Sequence, residues 1–329
     1  MKTTTTILAA ALLSVGGAAS AQVLDLRELN TEQIRKLDRA RTVIVMTGGI
    51  LEEHGPYMPS YIDGYVSERQ AADLADAIVA RPGWTALMYP PIPLGQGGAN
   101  VIGGKHSFPG SYNVRSSTLR DVYMDLADAF GAQGFRFILV VDDHGSPNHN
   151  RALNEAADYF RDTYGGVMVH LYGLMSSRVC CPEISSSLLG PAGVAENGFS
   201  VHASAGEHSA ALFLRPDLVD ATIANAPPVT GRNFADLVRI ARQDGWAGYF
   251  GAPARASAAL GAQIHRAQVA MLAATALKIL DGWDPRNEPR FEDVLDKDPA
   301  VKGVDDAADE EDARNAARQR AWLAKRARR

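Results

Sequence analysis

The 329-residue chain is 46% hydrophobic and 22% charged, with 30 Gly, 17 Pro and a formal net charge of −5. These are ordinary globular values: collagen-like, low-complexity and wholly disordered chains are excluded, and the length is ample for a buried core. The acidic balance argues against nucleic acid or an anionic membrane as a partner, since both need a basic face, and the only two cysteines, Cys180 and Cys181, allow neither a disulfide framework nor a cysteine zinc site.

In chain order, residues 1–21 come first, with Lys2, a short apolar run from Ile7 to Val15 and the triplet Ala19-Ser20-Ala21. A basic start, a brief apolar centre and a small-residue end make a secretory signal peptide. The run is too short for the about 20 residues of a bilayer span. The mature chain is expected to begin near Gln22, to be periplasmic or secreted, and to have no membrane contact after cleavage. In that oxidising space Cys180-Cys181 reads as two thiols before Pro182, because adjacent cysteines close only a strained ring.

Thr42 to Gly48 (TVIVMTG) is a continuous β-branched and apolar run, expected of a strand buried on both faces. Tyr65–Ala80 has helical periodicity, Trp84–Tyr89 reads as a strand, and Ser116–Gln133 as an amphipathic helix ended by Gly134. Phe135–Val141 is a third strand, Asn150–Tyr164 a helix and Val167–Tyr172 a fourth strand. Such alternation predicts an α/β fold, a mainly parallel sheet covered by helices on both sides with right-handed crossovers. Pro90–Tyr112 and Ser176–Ser204 break the alternation and are expected as long ordered loops, which in compact domains usually serve function. Asp305–Arg329 runs from acidic to basic, as suits a helix dipole, and reads as a solvated terminal helix or frayed tail. The expected organisation is a signal peptide at 1–21, one domain at 22–285 and a polar C-terminal segment at 286–329.

Ligands of parallel sheets bind beyond the carboxyl ends of the strands. After the first predicted strand come Glu52, Glu53 and His54, then Asp63. After the third come Asp142, Asp143 and His144. Near the expected end of a later strand come His202, Glu207 and His208. Imidazole with carboxylate suits zinc, manganese or iron. In an extended segment Glu52 and His54 point the same way, and Asp63 is close enough to return to the same ion after the turn at Gly55-Pro56. One aspartate can bridge two ions, and a metal pair about 3.5–4 Å apart can hold a hydroxide and polarise a carbonyl, the apparatus of amide hydrolysis.

The segment Gly48 to Pro59 with Asp63 resembles the first motif of the creatininase (creatinine amidohydrolase) family, an E-x-H-G-x-H-L-P run ahead of an Asp. His106 to Ser111 resembles its H-x-x-F-P-G-T segment, and Gly134-Phe135-Arg136 through His144-Gly145 its G-F-R, buried strand, N-G-H-G pattern. His202 with Glu207 to Ala210 resembles H-A-G, E-T-S, and Arg215 to Val219 matches the P-E-L-V that follows. The resemblance spans residues 40 to 220 in order. It implies a three-layer α/β/α sandwich and two divalent ions, Zn, Mn or Fe, held by Glu52, His54, Asp63 and His144 with Asp63 as the bridge. In creatininase the remaining carboxylate lies two residues after the His matching His144; here that residue is Ser146, and the resemblance assigns the last ligand to Glu207. His202 matches the family's acid/base histidine, a role imidazole fills with little tuning. Hexamers are common in the family, so a homo-oligomer is implied.

This chain departs from the pattern at Tyr57, which replaces the second His, at Asp142-Asp143, which replace N-G, and at Ser146-Pro147-Asn148, which interrupt G-G-N. The two aspartates are expected to add negative charge around the pocket and to favour a cationic or neutral substrate. The reading is therefore an exported metal-dependent amidohydrolase acting on a cyclic or small linear amide. A deformylase or peptidase on the same scaffold, or a non-catalytic secreted metal- or ligand-binding protein, are the alternatives.

Overall fold

The computed structural model describes residues 21–174 and 182–327. Residues 1–20 of the expected signal peptide, and the Cys180-Cys181 pair, lie outside the described residues. Five strands form one parallel sheet: β1 (Gln22–Asp25), β2 (Thr42–Thr47), β3 (Thr85–Met88), β4 (Phe137–Val141) and β5 (Val167–His170), in the order β1-β3-β2-β4-β5, with a short helix α1 (Thr31–Arg35) between β1 and β2.

All six residues of β2 are buried, and successive side chains leave opposite faces of a strand. Val43 and Val45 pack with Leu74 and Ile78 of α2 (Ile62–Val79), and with Leu272 and Ile279 of a later helix at Ala258–Leu280. Ile44 and Met46 face the other way, onto Leu119 and Tyr123 of α3 (Ser116–Ala132) and Leu153 and Phe160 of α4 (Pro147–Tyr164). The result is the expected α/β/α sandwich. Each fully buried aliphatic contributes about 1.5–3 kcal/mol, so the continuous apolar run of β2 is explained by two cores rather than one.

The four expected strands and three expected helices are present within a few residues. β1 is an addition, and α4 begins three residues before the predicted start, with Pro147 in its first turn. Proline suits that position, where its missing N–H is not needed and its φ is already helical.

Two expectations need correction. Within the supposed loop 176–204, residues Pro182–Asn197 are helical, broken at Gly190, where φ is +66°. No strand precedes His202 either. It lies in a turn between that segment, α5, and α6 (Ala205–Leu214). Further on are α7 (Phe234–Ala241), α8 (Ala258–Leu280), α9 (Phe291–Leu295) and α10 (Pro299–Arg326). The terminal helix is present as α10, but it is not wholly solvated: Val301, Asp305, Ala308 and Ala316 are buried. Among the described residues no helix is long and apolar enough to cross a membrane.

Candidate metal centre

The sheet order reverses beside β2: its two neighbours are β3 and β4, reached by crossovers that leave in opposite directions. A switch of this kind opens a crevice at the carboxyl ends of β2 and β4, and both strands feed polar residues into it. Gly48 donates its N–H to the Val141 carbonyl (2.9 Å), so the two chains stay paired one residue past β2. The turn after that depends on Gly49, whose φ is +137° and where a Cβ would stand 2.6 Å from the Cα of Gly64. The first turn of α2 can therefore close on the end of β2, which places Asp63 beside Glu52 and His54.

Six residues singled out from sequence converge here. His144 Nδ1 lies 2.9 Å from Glu52 Oε2 and 3.3 Å from Asp63 Oδ2. His54 Nε2 lies 3.2 Å from Asp63 Oδ1. His202 Nδ1 is 3.3 Å from Glu52 Oε1. Glu207 accepts the Ala203 N–H. Three triads have ligand atoms all within 4.8 Å of one another: Glu52–Asp63–His144, His54–Asp63–Glu207 and Glu52–His54–His202. Asp63 belongs to the first two. All six residues are buried except Glu207, which is partly so.

Backbone carbonyls orient the three imidazoles. A carbonyl only accepts, so the ring nitrogen facing it carries a hydrogen and the other ring nitrogen points into the cluster. Gln96 holds His144 Nε2 in this way (3.0 Å), Glu52 holds His54 Nδ1 (3.0 Å), and Glu53 holds His202 Nε2 (2.6 Å). Ala99 donates its N–H to Glu52 Oε1 at 2.5 Å. Gln96 and Ala99 both belong to the long 90–112 segment, which thus reaches the site through main-chain groups.

The charges are strongly coupled. Burial alone would raise the Asp63 carboxyl, but His54 and His144 outweigh it and hold it well below the usual range. Burial would likewise lower His144 and His202. The Glu52 and Asp63 carboxylates keep His144 well above its ordinary value, and Glu52 and Glu53 push His202 up to about 10. Glu207 moves the other way: burial raises it.

A cavity of about 610 Å³ opens onto this cluster, and every one of the six except His54 lines it. A separate cavity of about 810 Å³ lies between the 96–118 segment and α10, along His106 to Ser111, and holds none of the six.

Asp142 does not do what its charge led us to expect. It is fully buried and outside the cavity lining. Its Oδ2 accepts from the Gly49 N–H (3.1 Å) and from His149 Nε2 (3.0 Å), and its Oδ1 from the His144 N–H (3.2 Å). It ties together the ends of β2 and β4 and the start of α4. Asp143 and Ser146 do line the cavity. Tyr57 packs instead in an apolar cluster against Tyr249 and His208, with ring centroids 5.9 and 6.2 Å away. His149, Gln96 and Ala99 were missed from sequence. The signal for His149 was a histidine in the first turn of a helix that follows a buried aspartate; the two main-chain contacts have no sequence signal.

Comparison with known proteins adds the family. The Creatininase model, described as creatinine amidohydrolase, matches residues 27–276. A structure described as "Creatininase Mn" superposes with a TM-score of 0.60 at 21% identity, covering 78% of this chain and 99% of its own. A mutant creatininase of Zn–Zn type gives 0.57 at 20%, covering 78% and 98%. A putative creatinine amidohydrolase from Bacteroides fragilis NCTC 9343 gives 0.56 at 21%, covering 79% and 97%. Among curated protein sequences none is a significant match. The chain belongs to the creatininase family.

Proposed function

We propose that this member of the family is an exported, two-metal amidohydrolase that cleaves the C–N bond of a cyclic or small linear amide. The observation that carries the reading is one carboxylate shared by two ligand triads: Asp63 stands with Glu52 and His144 in one and with His54 and Glu207 in the other. In this reading Glu52, His54, Asp63, His144 and Glu207 would hold the ions, with Asp63 the residue common to both sets. The residues fit the group. Three carboxylates crowded together, two of them buried, need countercharge, His54 Nε2 faces the buried Asp63 carboxylate at 3.2 Å, and mixed imidazole and carboxylate donors suit zinc, manganese or iron. Two divalent ions there would supply Lewis acidity, polarising an amide carbonyl and making a nucleophile of water near neutral pH.

The chain's own residues do the rest. The Gln96 and Glu52 carbonyls fix the rings of His144 and His54. His202, held by the Glu53 carbonyl, carries a proton beside the cluster and is the donor to the departing nitrogen. A cavity of about 610 Å³ favours a small amide over an extended peptide.

Metal analysis and hydrolysis assays on creatinine, other lactams, formamides and short peptides test the reading. About two ions per chain with amide turnover are expected. Asp63→Asn is expected to leave a folded chain with fewer than one ion and no turnover. A folded, fully active Asp63→Asn protein sinks the assignment. Export rests on the N-terminal segment, and N-terminal sequencing of the protein from fractionated cells is expected to begin near Gln22; uncleaved cytoplasmic protein refutes it. Assembly as a homo-oligomer, hexameric by likeness to the family, is read by light scattering, where a monomer overturns it.

A further inference from the structure

The cavity beside the metal centre has a second wall that the family match does not reach. The match ends at residue 276, yet Phe291, Asp298, Val301 and Asp305, from α9 through the first turns of α10, line the same cavity as Glu52, Asp63 and His144. That wall is apolar apart from its aspartates. Among the described residues its lining contains no Lys or Arg. Once Glu52, Asp63 and Glu207 are taken up by metal, three more carboxylates remain around the cavity: Asp143 from the end of β4, and Asp298 and Asp305 from α10.

Asp305 is the unusual member. It is only 6% exposed, and its Oδ2 is buried with no hydrogen-bond partner. The one nearby cation that favours its ionisation, Arg151, is already engaged by other groups. Asp296 is a second carboxylate, and the Arg151 guanidinium is held by Asp296 (2.6 Å) and by Asn148. Asp309 accepts from Asn148 (3.0 Å). Burial, and then the charge of Asp296, push the Asp305 carboxyl up to about 8. A buried carboxyl whose nearest cation is held by another carboxylate is costly, and this one stands on the wall of a ligand-sized space.

We propose that the α10 wall is a cation subsite: the substrate is an amide that also carries a protonated amine, and Asp305, with Asp298 at the head of the helix, receives the ammonium group while Phe291 and Val301 pack its carbon chain. The proposal rests on the amidohydrolase reading for the amide half of the substrate. The subsite itself depends only on α9 and α10. Selectivity here comes from a segment outside the matched family region, so the substrate is expected to differ from those of members that lack it.

The test uses n-butylammonium as probe, titrated calorimetrically into the full-length chain with Zn²⁺ present, with n-butanol and butyrate as neutral and anionic controls. Binding of n-butylammonium at least tenfold tighter than either control is expected. Asp305→Asn is expected to weaken it at least tenfold while leaving Zn²⁺ uptake unchanged and the melting temperature no lower. Asp298→Asn, which keeps an N-capping side chain, is expected to weaken it less. Equal binding of the three probes overturns the proposal, as does wild-type affinity in both variants. Where turnover is measurable, amides bearing an ammonium group are expected to exceed their hydroxyl counterparts at least tenfold in kcat/KM, with the ratio lost in Asp305→Asn. A chain that takes up no Zn²⁺, or turns over no amide, refutes the amidohydrolase reading and leaves the n-butylammonium titration to decide the subsite.

Discussion

Asp305 ionises near 3.8 in an unfolded chain, and burial beside Asp296 raises it to about 8 in the fold. The folded state therefore holds this proton more tightly. Below the unfolded value both states are protonated and the group has no effect on stability. As the pH rises from about 4 to about 8 the unfolded chain gains its charge first, and the native state loses stability progressively; above about 8 the loss is complete. Groups facing Asp305 moderate this: Asp296 and Asp309 oppose its ionisation and Arg151 favours it. Asp305→Asn removes the penalty, so its melting temperature is expected to exceed wild type by more at pH 8 than at pH 5, by the equivalent of a few kcal/mol at most. A variant equally stable, or less stable, at both pH values contradicts the account. At this scale the centre was largely legible. Glu52, His54, Asp63 and His144 are metal-competent types placed just after buried strands, and four separated motifs in order named the rest. Asp142 was misread because a charge next to the expected pocket was taken to face it. Its buried position is set by donors on three elements, two of them main-chain N–H groups that no residue type announces.

Between elements, the junction of β2 with α2 sets the geometry of the site. Gly49 sits in the left-handed half of backbone space and its missing Cβ lets Gly64 approach. Gly49→Ala is expected to destabilise the fold by about 1–3 kcal/mol through strain and overpacking, read as a lower urea midpoint, and to lower metal content because Glu52 and Asp63 move apart. A variant with wild-type stability and full metal content refutes this. The periodic elements were readable because both ends of the pattern are present: β2 is apolar between its terminal threonines and β4 throughout, and α2 and α3 repeat with helical spacing. β1 escaped notice because its four residues are only partly covered and too few for an alternation to stand out. The α8 sequence, AALGAQIHRAQVAMLAATALKIL, has small and apolar residues on several sides, so its period is blurred. The strand expected before His202 is absent, because Phe199-Ser200-Val201 offers β-prone side chains that are exposed or half-exposed in a turn rather than paired into the sheet.

For the whole molecule, the centre links two halves of the sheet and a turn before α6, so metal should act as a staple. Ligand binding to the native state alone adds about 4 kcal/mol at a thousandfold excess over Kd. Dialysis against a chelator is therefore expected to lower the melting temperature by on the order of 10 °C for a chain of this size, and Zn²⁺ or Mn²⁺ to restore it. An unchanged melting temperature after complete metal removal would count against a centre at this junction. The edge strand carries a different consequence. β1 pairs with β3 from its first residue, Gln22 opposite Thr85, so the proposed cut after Ala21 falls at the very start of a strand with no spacer. A processing peptidase needs an extended and accessible chain, and a docked strand is neither. If the proposed cut is made there, β1 would join the sheet only after the leader has gone. Its place at the edge permits that order, because a parallel strand can be laid there without threading past any neighbour. Under that proposal, maturation and the final pairing of β1 with β3 would be successive steps on one clock.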